Sequence, residues 1–338
     1  MKRIAIIGLG GISEVHIAAI VGCEFGKIEA ICDIEPEKIE NAKKAIPYPV
    51  KEYSDYKEML KDVKADVVHI CTPHYLHAEM TIEAMRSGAD VYLEKPAAMD
   101  PEEGLEMLKV QKETGRKVCV SFQNRVTVSN LEAKRIIDSG EMGGFLGARG
   151  FMTWDRGGEY YTKSAWRGRW ATEGGGVLMN QSIHTLDLLY YFGGDIARTE
   201  GTASLRKNGD IIEVEDTAEA TIFYENGKNA IFYASNCNAA NSPVIMEVFL
   251  EKGSLMIIGN SKLFKDVGNG YELIADDSKE AVVGKAVWGC GHAKMMERFY
   301  SSIDGNEKYY CTLEDGLKIL KVIEDIYKTS PNNFKGIQ

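Results

Sequence analysis

The first thirteen residues contain the feature that most limits the possible folds of this chain. An apolar run, Ile4–Ile7, leads into Gly8-Leu9-Gly10-Gly11-Ile12-Ser13, and a helical pattern follows at once. A strand, a glycine-rich turn and a helix in this order are typical of a dinucleotide-binding sheet. In such a turn Gly8 permits the tight bend, Gly10 lets the backbone approach a pyrophosphate, and Ser13 allows close helix–strand packing. The helix N-terminus then offers free N–H groups to the phosphates, which makes the candidate cofactor ligands Gly8, Gly10, Gly11, Ile12 and Ser13.

A carboxylate stands where a turn of this kind needs one. Asp33 follows the second apolar run, 20 residues after Ser13, which is the expected place for an acid that binds the ribose hydroxyls. A carboxylate there repels a 2′-phosphate, and the next residue, Ile34, is not an arginine. The sequence therefore predicts NAD rather than NADP as the cofactor, although Arg3 and Lys38 leave some tolerance of NADP open.

The first third of the chain alternates between strand-like and helical patterns. Further apolar runs lie at Ile28–Cys32, Val67–Thr72, Val91–Leu93 and Val118–Phe122, and the clearest helical patterns between them are His77–Arg86 and Pro101–Thr114. This alternation predicts the α/β class, with a doubly wound parallel sheet forming a Rossmann domain over residues 1–122.

The pattern changes in residues 123–338, which we predict to be a second, substrate-binding and oligomerisation domain. Turn residues at Ser139–Gly144 end a linking helix, and Asn226-Gly227 between two β-rich runs predicts a hairpin of Thr217–Tyr224 and Asn229–Ser235. More strand-like runs follow at Ile245–Leu250 and Leu255–Ile258, so we expect an antiparallel sheet. One face of such a sheet needs cover, which favours a homo-oligomer, a dimer or a tetramer.

Composition excludes several classes of function. The 338 residues favour two domains and carry a formal net charge of -10, which argues against general binding to nucleic acid or to a membrane surface. An anionic substrate would need a local basic pocket. The seven scattered cysteines show no metal-binding or disulfide spacing, and no apolar run approaches the length of a membrane span. We expect a cytoplasmic protein without a metal site, in which Cys32, Cys71 and Cys119 are small buried hydrophobes.

A lysine stands at the end of one predicted strand, in Val91-Tyr92-Leu93-Glu94-Lys95-Pro96. The residue before a proline is kept out of the helical region, so the turn that presents this amine is stiff. Open α/β sheets bind ligands at the carboxyl ends of their strands, which places Lys95 beside a nicotinamide ring. Thr72-Pro73-His74, after the preceding strand, is expected near the centre of the cofactor. The alternatives are a surface lysine at Lys95 and ordinary helix-start residues at His74 and His77.

A second informative stretch begins with Trp166-Arg167-Gly168-Arg169-Trp170 and continues through Gly174-Gly175-Gly176 into a predicted helix, Val177–Phe192. In that helix Asn180 and His184 share a face, with Asp187 three residues further on. An amide and an imidazole on one face can grip a polyol and carry a proton. Arginines interleaved with tryptophans suit stacking and recognition of a phosphate or a carboxylate. A structural histidine and a packed loop are the alternatives.

Taken together, these motifs resemble the glucose–fructose oxidoreductase / inositol dehydrogenase / rhizopine catabolism (Gfo/Idh/MocA) family. The resemblance implies an NAD(P)-dependent oxidoreductase of sugars or cyclitols, whose C-terminal domain contains a large, open, mostly antiparallel sheet. Lys95 and His184 match the catalytic lysine and histidine of the family. The matching pieces span nearly the whole chain and are Gly8–Ser13, Asp33, Thr72-Pro73-His74, Glu94-Lys95-Pro96, Gln123-Asn124-Arg125, Trp166-Arg167 and Gly174–His184.

One position departs from the inositol dehydrogenases of the family, which usually carry an aspartate four residues before the histidine. Here that residue is Asn180, and an amide cannot stabilise an imidazolium as a carboxylate does. An inositol substrate is therefore less expected. The stretch from Trp166 to His184 is most similar to members that act on nucleotide-linked N-acetyl sugars, such as UDP-N-acetylglucosamine 3-dehydrogenases.

The expected reaction is oxidation of a secondary ring hydroxyl of a sugar to a ketone, which requires a base for the hydroxyl proton. We assign His184 as the proton acceptor and Lys95 as the polarising group, with the reverse open, and expect the two to converge on one carbinol carbon. The expected sugar contacts are Lys95, Gln123, Asn124, Arg125, Arg169, Asn180 and His184, and further cofactor contacts are Thr72, Pro73, His74, Glu94, Lys95, Trp166 and Arg167. Alternatives are an inositol or free-sugar dehydrogenase, a glycosidase that retains NAD, and a non-catalytic sensor of NAD or sugar.

Overall fold

The computed structural model of the chain describes residues 1–23, 25–280, 291–305 and 311–331. The chain forms two compact units. The first comprises Met1–Gln123 and Ala281–Leu317, and the second comprises Asn124–Glu280 and Lys318–Gln338. The chain therefore returns to its first unit after most of the second, which no sequence pattern indicated for the predicted domain of residues 123–338.

The first unit contains a six-stranded parallel sheet in the order β3-β2-β1-β4-β5-β6. Its strands are β1 (Lys2–Ile7), β2 (Gly26–Cys32), β3 (Lys51–Tyr53), β4 (Val67–Ile70), β5 (Asp90–Leu93) and β6 (Val118–Val120). Its first five helices are α1 (Ser13–Gly22), α2 (Pro36–Lys43), α3 (Tyr56–Asp62), α4 (His77–Arg86) and α5 (Pro101–Thr114). The strand order reverses between β1 and β4, which creates a crevice at the carboxyl ends of these strands.

These elements confirm the predicted Rossmann sheet. Helices α4 and α5 have the predicted bounds, whereas β4 and β6 each end two residues before the predicted limit. Strand β3 was not predicted, because its three residues, Lys51, Glu52 and Tyr53, are polar or half-exposed and form the edge of the sheet.

The second unit contains an eight-stranded sheet in the order β14-β13-β12-β11-β7-β10-β9-β8. Its strands are β7 (Phe145–Thr153), β8 (Ile196–Ser204), β9 (Thr217–Tyr224), β10 (Asn229–Ser235), β11 (Ile245–Leu250), β12 (Gly253–Ile258), β13 (Lys262–Asp266) and β14 (Glu272–Asp276). The helices between residues 124 and 193 are α6 (Val128–Ser139), α7 (Gly158–Thr162), α8 (Trp170–Glu173) and α9 (Ile183–Gly193). The pair β7–β10 is parallel and the other pairs are antiparallel, which confirms the mostly antiparallel sheet.

One face of this sheet is packed against helix α9 through a glycine. A Cβ added to Gly150 would lie 2.7 Å from Cγ2 of Thr185, so the small residue allows close helix–sheet approach. Side chains alternate across a strand, so Phe151 lies on the opposite face, as do Ile231, which pairs with Arg149, and Phe249, which pairs with Gly147. Ile231 is 47% exposed and Phe249 is 37% exposed.

The returning segment completes the first unit with α10 (Gly291–Ile303) and the start of α11 (Leu313–Thr329). Phe299 and Tyr300 of α10 are buried, and the residue before α11, Thr312, forms a β-bridge with Cys119 of β6. The sequence spacing of Thr312 and Asp315 predicts a capping box at the start of this last helix. The structure confirms it, because the two residues exchange hydrogen bonds between side chain and backbone at 3.0 and 3.2 Å.

No helix among the described residues combines the length and the apolar composition needed to cross a membrane. Cys32, Cys71 and Cys119 are buried free thiols, as predicted.

Candidate active site

The glycine turn after β1 has a backbone that a side chain would disrupt. Gly8 has a φ of +86°, and an added Cβ would lie 2.8 Å from the carbonyl carbon and oxygen of Cys71. By contrast, a Cβ on Gly10 or Gly11 would meet no described atom within 4 Å. The turn is therefore constrained at Gly8 and open at Gly10 and Gly11, which is the shape that lets a backbone approach a pyrophosphate.

Asp33, at the end of β2, holds this turn in place. One carboxylate oxygen accepts a hydrogen bond from the Leu9 N–H at 2.7 Å, and the other accepts from the Glu35 N–H at 2.9 Å. Each oxygen keeps a second lone pair, so Asp33 can also accept a ribose hydroxyl. Helix α1 begins at Ser13, whose hydroxyl donates to the Gly10 carbonyl at 2.7 Å. An open turn, a helix N-terminus and an acceptor at the end of β2 fit a dinucleotide.

His77, the first residue of α4, connects the ends of two neighbouring strands. Its Nδ1 lies 2.7 Å from the Pro96 carbonyl oxygen and its Nε2 lies 2.9 Å from the Thr72 carbonyl oxygen. Burial lowers the pKa of His77, whereas these two hydrogen bonds raise it. His77 therefore fixes the segments after β4 and β5, which contain the predicted cofactor residues Thr72 and Lys95. His74 is buried and starts a short 3₁₀ turn.

Lys95 precedes a cis proline and is half-buried, whereas Glu94 is buried. Oε1 of Glu94 lies 3.0 Å from Nε2 of His16. Burial alone would raise the pKa of Glu94, but the hydrogen bond from His16 and the charges of its neighbours, Lys95 among them, bring it well below its usual range. The carboxylate is therefore ionised, and by reciprocity it favours the ammonium form of Lys95.

Gln123, Asn124 and Arg125, predicted to contact the sugar, lie at the junction of the two units in sequence. Gln123 is buried in the first unit. In the second unit, the Arg125 guanidinium binds the carboxylate of Asp187 on α9, with Nη2 2.6 Å from Oδ1 and Nε 2.9 Å from Oδ2. This buried bidentate pair fixes α9 to the segment that precedes α6, a structural role beside the predicted contact with sugar.

The predicted helix Val177–Phe192 begins later than expected. Helix α9 starts at Ile183 and ends at Gly193, with Gly194 beyond it at a φ of +88°. Residues 177–182 form turns, so Asn180 and His184 do not share a face of one helix, and that prediction is wrong. The apolar run Val177-Leu178-Met179 imitates a first helical turn, but its residues are buried in a compact loop closed by a hydrogen bond from the Ser182 N–H to the Val177 carbonyl.

Asn180 is instead held by a buried carboxylate that the sequence analysis missed. Its Nδ2 donates to Oε1 of Glu173 at 2.6 Å, and the other oxygen of Glu173 accepts from the Gly168 N–H at 2.5 Å. Nδ2 of Asn180 also lies 3.3 Å from the Tyr160 hydroxyl, to which Gln181 donates at 2.9 Å. Asn180, Gln181 and Glu173 therefore form one hydrogen-bonded group around Tyr160.

A second buried glutamate supports the same loop. Oε1 of Glu215 accepts hydrogen bonds from the N–H groups of Gly176 and Leu178, both at 2.9 Å. Burial raises the pKa of Glu215 to about 7, against the effect of the hydrogen bonds it accepts. A Cβ on Gly176 would lie 1.9 Å from the Glu215 carbonyl oxygen, so only glycine permits this approach. The Gly174–Gly176 run therefore serves loop packing in the second unit.

Arginine and aromatic side chains surround Tyr160 in the second unit. The guanidinium of Arg167 lies 4.3 Å from the centre of the Tyr160 ring, and that of Arg156 lies 5.3 Å from it. Arg156 also lies 4.7 Å from the ring of Trp154, and Arg167 lies 5.3 Å from that of Trp166. Among the described residues, neither arginine forms an ion pair with a carboxylate. We refer to these five residues as the arginine–aromatic cluster.

Arg169, also predicted to contact the sugar, has a different environment. Its Nη1 lies 2.7 Å from Oε1 of Glu213, and both side chains are about half-exposed. The indole N–H of the neighbouring Trp170 donates to the Glu213 carbonyl at 3.0 Å. This part of the predicted site is therefore engaged in contacts within the second unit.

Each unit thus brings together part of the predicted site. The first joins the glycine turn to Asp33, and joins the segment of Thr72 to that of Lys95 through His77. The second joins Asn180 and Arg167 around Tyr160. The residues that sequence reasoning did not assign are His16, Tyr160, Glu173, Gln181 and Glu215. In the described ranges, no group of three or more histidine, cysteine or acidic residues is arranged to hold a metal ion.

Family models match both parts of the chain. Residues 2–122 match a model described as an oxidoreductase family with an NAD-binding Rossmann fold. Residues 130–256 match the GFO/IDH/MocA C-terminal domain.

Individual relatives share about a quarter of their residues with this chain. The scyllo-inositol 2-dehydrogenase (NAD(+)) of Bacillus subtilis is 29% identical over 75% of this chain and 73% of its own length. The D-glucoside 3-dehydrogenase of Escherichia coli is 26% identical over 97% of this chain and 95% of its own. The WlbA dehydrogenase of Bordetella pertussis, solved in complex with NADH and UDP-GlcNAcA, superposes with a TM-score of 0.84 at 26% identity, covering 99% of this chain and 97% of that one.

Proposed function

Because the chain belongs to the Gfo/Idh/MocA oxidoreductase family, we propose that it oxidises a secondary ring hydroxyl of a nucleotide-linked N-acetyl sugar to a ketone. The family and its relatives establish the coarser activity: the chain is an NAD-binding dehydrogenase that acts on CH–OH groups of sugars or polyols. What remains to be chosen is the sugar, and the second unit bears on that choice.

The arginine–aromatic cluster is the observation that carries the proposal. The chain as a whole has a formal net charge of -10, so an anionic substrate needs local positive charge. Arg156 and Arg167 supply two guanidinium groups that no carboxylate neutralises among the described residues. Arginines stacked on aromatic rings recognise phosphate and carboxylate groups and also offer planar surfaces to a base.

Two further observations support a nucleotide-linked sugar over an inositol. Asn180 replaces the aspartate that is usual in inositol dehydrogenases. The WlbA dehydrogenase, which matches nearly the full length of this chain, was solved with a UDP-linked ligand.

The proposed chemistry divides between the two predicted catalytic residues. Bound NAD supplies the acceptor for the hydrogen and electron pair that leave the carbinol carbon. We assign Lys95, as an ammonium beside the ionised Glu94, to donate a hydrogen bond to the substrate hydroxyl oxygen. His184 accepts the hydroxyl proton, because loss of that proton must accompany formation of the ketone. Asn180, oriented by Glu173, binds a neighbouring hydroxyl or amide of the sugar.

A substrate screen tests the proposal. Reduction of NAD is followed at 340 nm, the absorbance of the reduced nicotinamide, with UDP-linked N-acetylhexosamines and uronates, free glucosides and inositols. We expect the highest kcat/KM with a UDP-linked sugar. Arg167→Gln should raise the KM for that sugar by about tenfold, since a charge-assisted hydrogen bond contributes about 1.5–3 kcal/mol. The matched control is Arg198→Gln, which removes an exposed arginine paired with Glu200 on β8.

Two results would reject the nucleotide-linked substrate. One is a higher kcat/KM for a free glucoside or an inositol than for every UDP-linked sugar. The other is an equal KM for the Arg167 and Arg198 variants.

We also propose that the open face of the eight-stranded sheet packs against a second copy of the chain. Phe151, Ile231 and Phe249 lie on the face opposite α9 together with the ion pair of Arg149 and Glu247, and exposed apolar surface favours association. Light scattering after size-exclusion chromatography should give a dimer or a tetramer. Ile231→Glu should shift the mass to the monomer, whereas Leu105→Glu, at a 65% exposed position of α5, should not. A monomeric native protein would contradict this assembly.

A further inference from the structure

Behind Glu94, the first unit buries a line of four hydrogen-bonding side chains from four different elements. Oε1 of Glu94 lies 3.0 Å from Nε2 of His16 on α1. Nδ1 of His16 lies 2.8 Å from Nδ1 of His69 on β4. Nε2 of His69 lies 2.7 Å from the hydroxyl of Tyr300 on α10. All four side chains are buried, and we refer to them as the histidine chain.

With a neutral His16, the chemistry of the end groups gives these hydrogen bonds a single direction. The ionised Glu94 can only accept, so Nε2 of His16 carries a proton and donates it. A neutral His16 then accepts at Nδ1, which makes Nδ1 of His69 the donor. Burial keeps the pKa of His69 well below its usual value, so His69 is neutral and accepts at Nε2 from the Tyr300 hydroxyl. Each of the three bonds then donates toward Glu94.

The opposite direction would change the charge beside Lys95. If His16 were protonated at both nitrogens, it would donate to His69, and His69 would have to donate to Tyr300. The pair of His16 and Glu94 would then be neutral overall, and Lys95 would lose a negative neighbour. In the first arrangement Nδ1 of His16, which lies 3.3 Å from the Cys71 sulfur, accepts from His69 at 2.8 Å, so the lone pair that a second proton needs is already engaged.

We propose that Tyr300, His69 and His16 are positioning residues that keep an uncompensated negative charge on Glu94, so that Lys95 remains an ammonium. This inference rests on the proposed role of Lys95 as the polarising group. The described titratable groups that face the histidine chain from the packed elements are Cys71, Tyr92, Lys95, Cys119 and His292. Burial lowers the pKa of His292 to about 4 and raises that of Cys71, so both are uncharged at neutral pH.

The direction of the chain is measured without substrate. Nitrogen-15 NMR of the full-length protein distinguishes the two neutral tautomers of histidine from the imidazolium. We expect the proton of His69 on Nδ1 and that of His16 on Nε2. A proton on Nε2 of His69, or on both nitrogens of His16, overturns the proposal whether or not the sugar has been identified correctly.

The effect on Lys95 is measured in the complex with NADH. Reductive carbon-13 methylation of the lysines gives an NMR signal for each, and Lys95→Arg identifies the signal of Lys95. In Tyr300→Phe, His69 loses the donor that fixes its tautomer, so His16 can take a second proton. The titration midpoint of Lys95 should then fall by about half a pH unit or more, about threefold in proton affinity.

A matched variant separates this effect from a general loss of packing. Tyr92→Phe removes another buried hydroxyl, whose nearest described partner is Ser121 at 3.4 Å, and its ring packs on the same histidines. It should leave the midpoint unchanged. If Tyr300→Phe fails to fold, His69→Asn and His69→Leu serve instead: the asparagine keeps a donor for His16 and the leucine does not. Equal midpoints in either pair overturn the proposal.

Discussion

Each unit buries a glutamate directly beside a segment of the predicted site, and the pKa values of the two carboxyl groups are shifted in opposite directions. Glu94, in the first unit, has a pKa well below its usual range, whereas burial raises that of Glu215, in the second, to about 7. Both are buried. Glu94 lies next to histidine and lysine side chains. Glu215 instead accepts from the N–H groups of Gly176 and Leu178, and no ion pair with a described cation compensates it.

The difference shows that the partner, and not burial, decides what a buried acid does. Beside Lys95 an ionised carboxylate supports the positive charge that the proposed chemistry requires. Beside the 177–182 loop, the carboxyl group of Glu215 takes up a proton near neutral pH. It holds backbone N–H groups in place and contributes little electrostatic field. Glu94 therefore supplies charge and Glu215 supplies shape, and each of the following changes tests one of the two units.

The largest effect is expected at Lys95. Lys95→Ala should lower turnover by at least about a hundredfold, the lower range for a group in acid–base catalysis. Because the glycine turn and Asp33 are untouched and Lys95 is one of several predicted cofactor contacts, NADH affinity measured by fluorescence should fall far less than turnover does. Lys109→Ala, an exposed lysine of α5, is the control. Near-normal turnover of Lys95→Ala would refute its catalytic assignment.

The glycine turn should separate stability from cofactor binding. Gly8→Ala places a Cβ against the Cys71 carbonyl group at a positive φ, which should lower the free energy of unfolding by about 1–3 kcal/mol. Gly10→Ala meets open space, so it should change that free energy by less than about 0.5 kcal/mol in the absence of cofactor while weakening NADH binding. Urea unfolding and NADH titration measure the two quantities. Equal destabilisation by both changes would contradict the geometry of the turn.

In the second unit, Glu173→Gln should affect the sugar and not the cofactor. The change removes the negative charge that accepts a hydrogen bond from Asn180. It also places an amide group, in place of a carboxylate, next to the Gly168 N–H. The loss of a charge-assisted hydrogen bond, about 1 kcal/mol relative to a neutral one, should raise the KM for the sugar by about five- to tenfold. Steady-state kinetics with saturating NAD give this KM. A fall in NADH affinity with an unchanged KM for the sugar would show that Glu173 acts on the cofactor, and would contradict this prediction.

The smallest effect is a difference in pH dependence at Glu215. Its pKa is raised from an unfolded value of about 4.3 to about 7. The folded state therefore binds more protons between those values, and stability from this group is complete below about pH 4 and is lost as the pH rises to about 7.

Urea unfolding at pH 5 and pH 8 tests this sign. The native protein should lose more stability between these pH values than Glu215→Gln, by about 1–3 kcal/mol, because the glutamine keeps an acceptor for Gly176 and Leu178 and does not titrate. If both proteins lose the same amount, Glu215 is ionised throughout, and the contrast with Glu94 fails.

The sequence was a good guide where local pattern determines structure. The glycine turn, the hairpin at Asn226-Gly227 and the capping box of α11 each depend on residues a few positions apart, and all three were predicted. The start of α9 was not, because its loop is fixed by Glu215, 37 residues away from Leu178 in the chain. Apolar residues that pack in a loop and in a helix have the same composition, and only the distant acceptor distinguishes them.

The candidate site divides in the same way. Asp33 and Lys95 were predicted, since each stands at the end of an apolar strand where ligands bind. Glu173 and Tyr300 were not, because their partners lie in other elements: Tyr300 meets His69 from 231 positions away in sequence. No periodicity relates such residues, and their roles follow only from the folded arrangement.

The return of the chain to its first unit has a consequence for synthesis on the ribosome. Residues 1–123 leave the exit tunnel early, yet α10 and the β-bridge from Thr312 to Cys119 that complete their unit come after the whole eight-stranded sheet. Domains generally acquire structure in the order of translation, but here the N-terminal unit must wait, partly assembled, for a segment made nearly last. A nascent chain halted at residue 280 would bear the glycine turn and Lys95 but lack Tyr300.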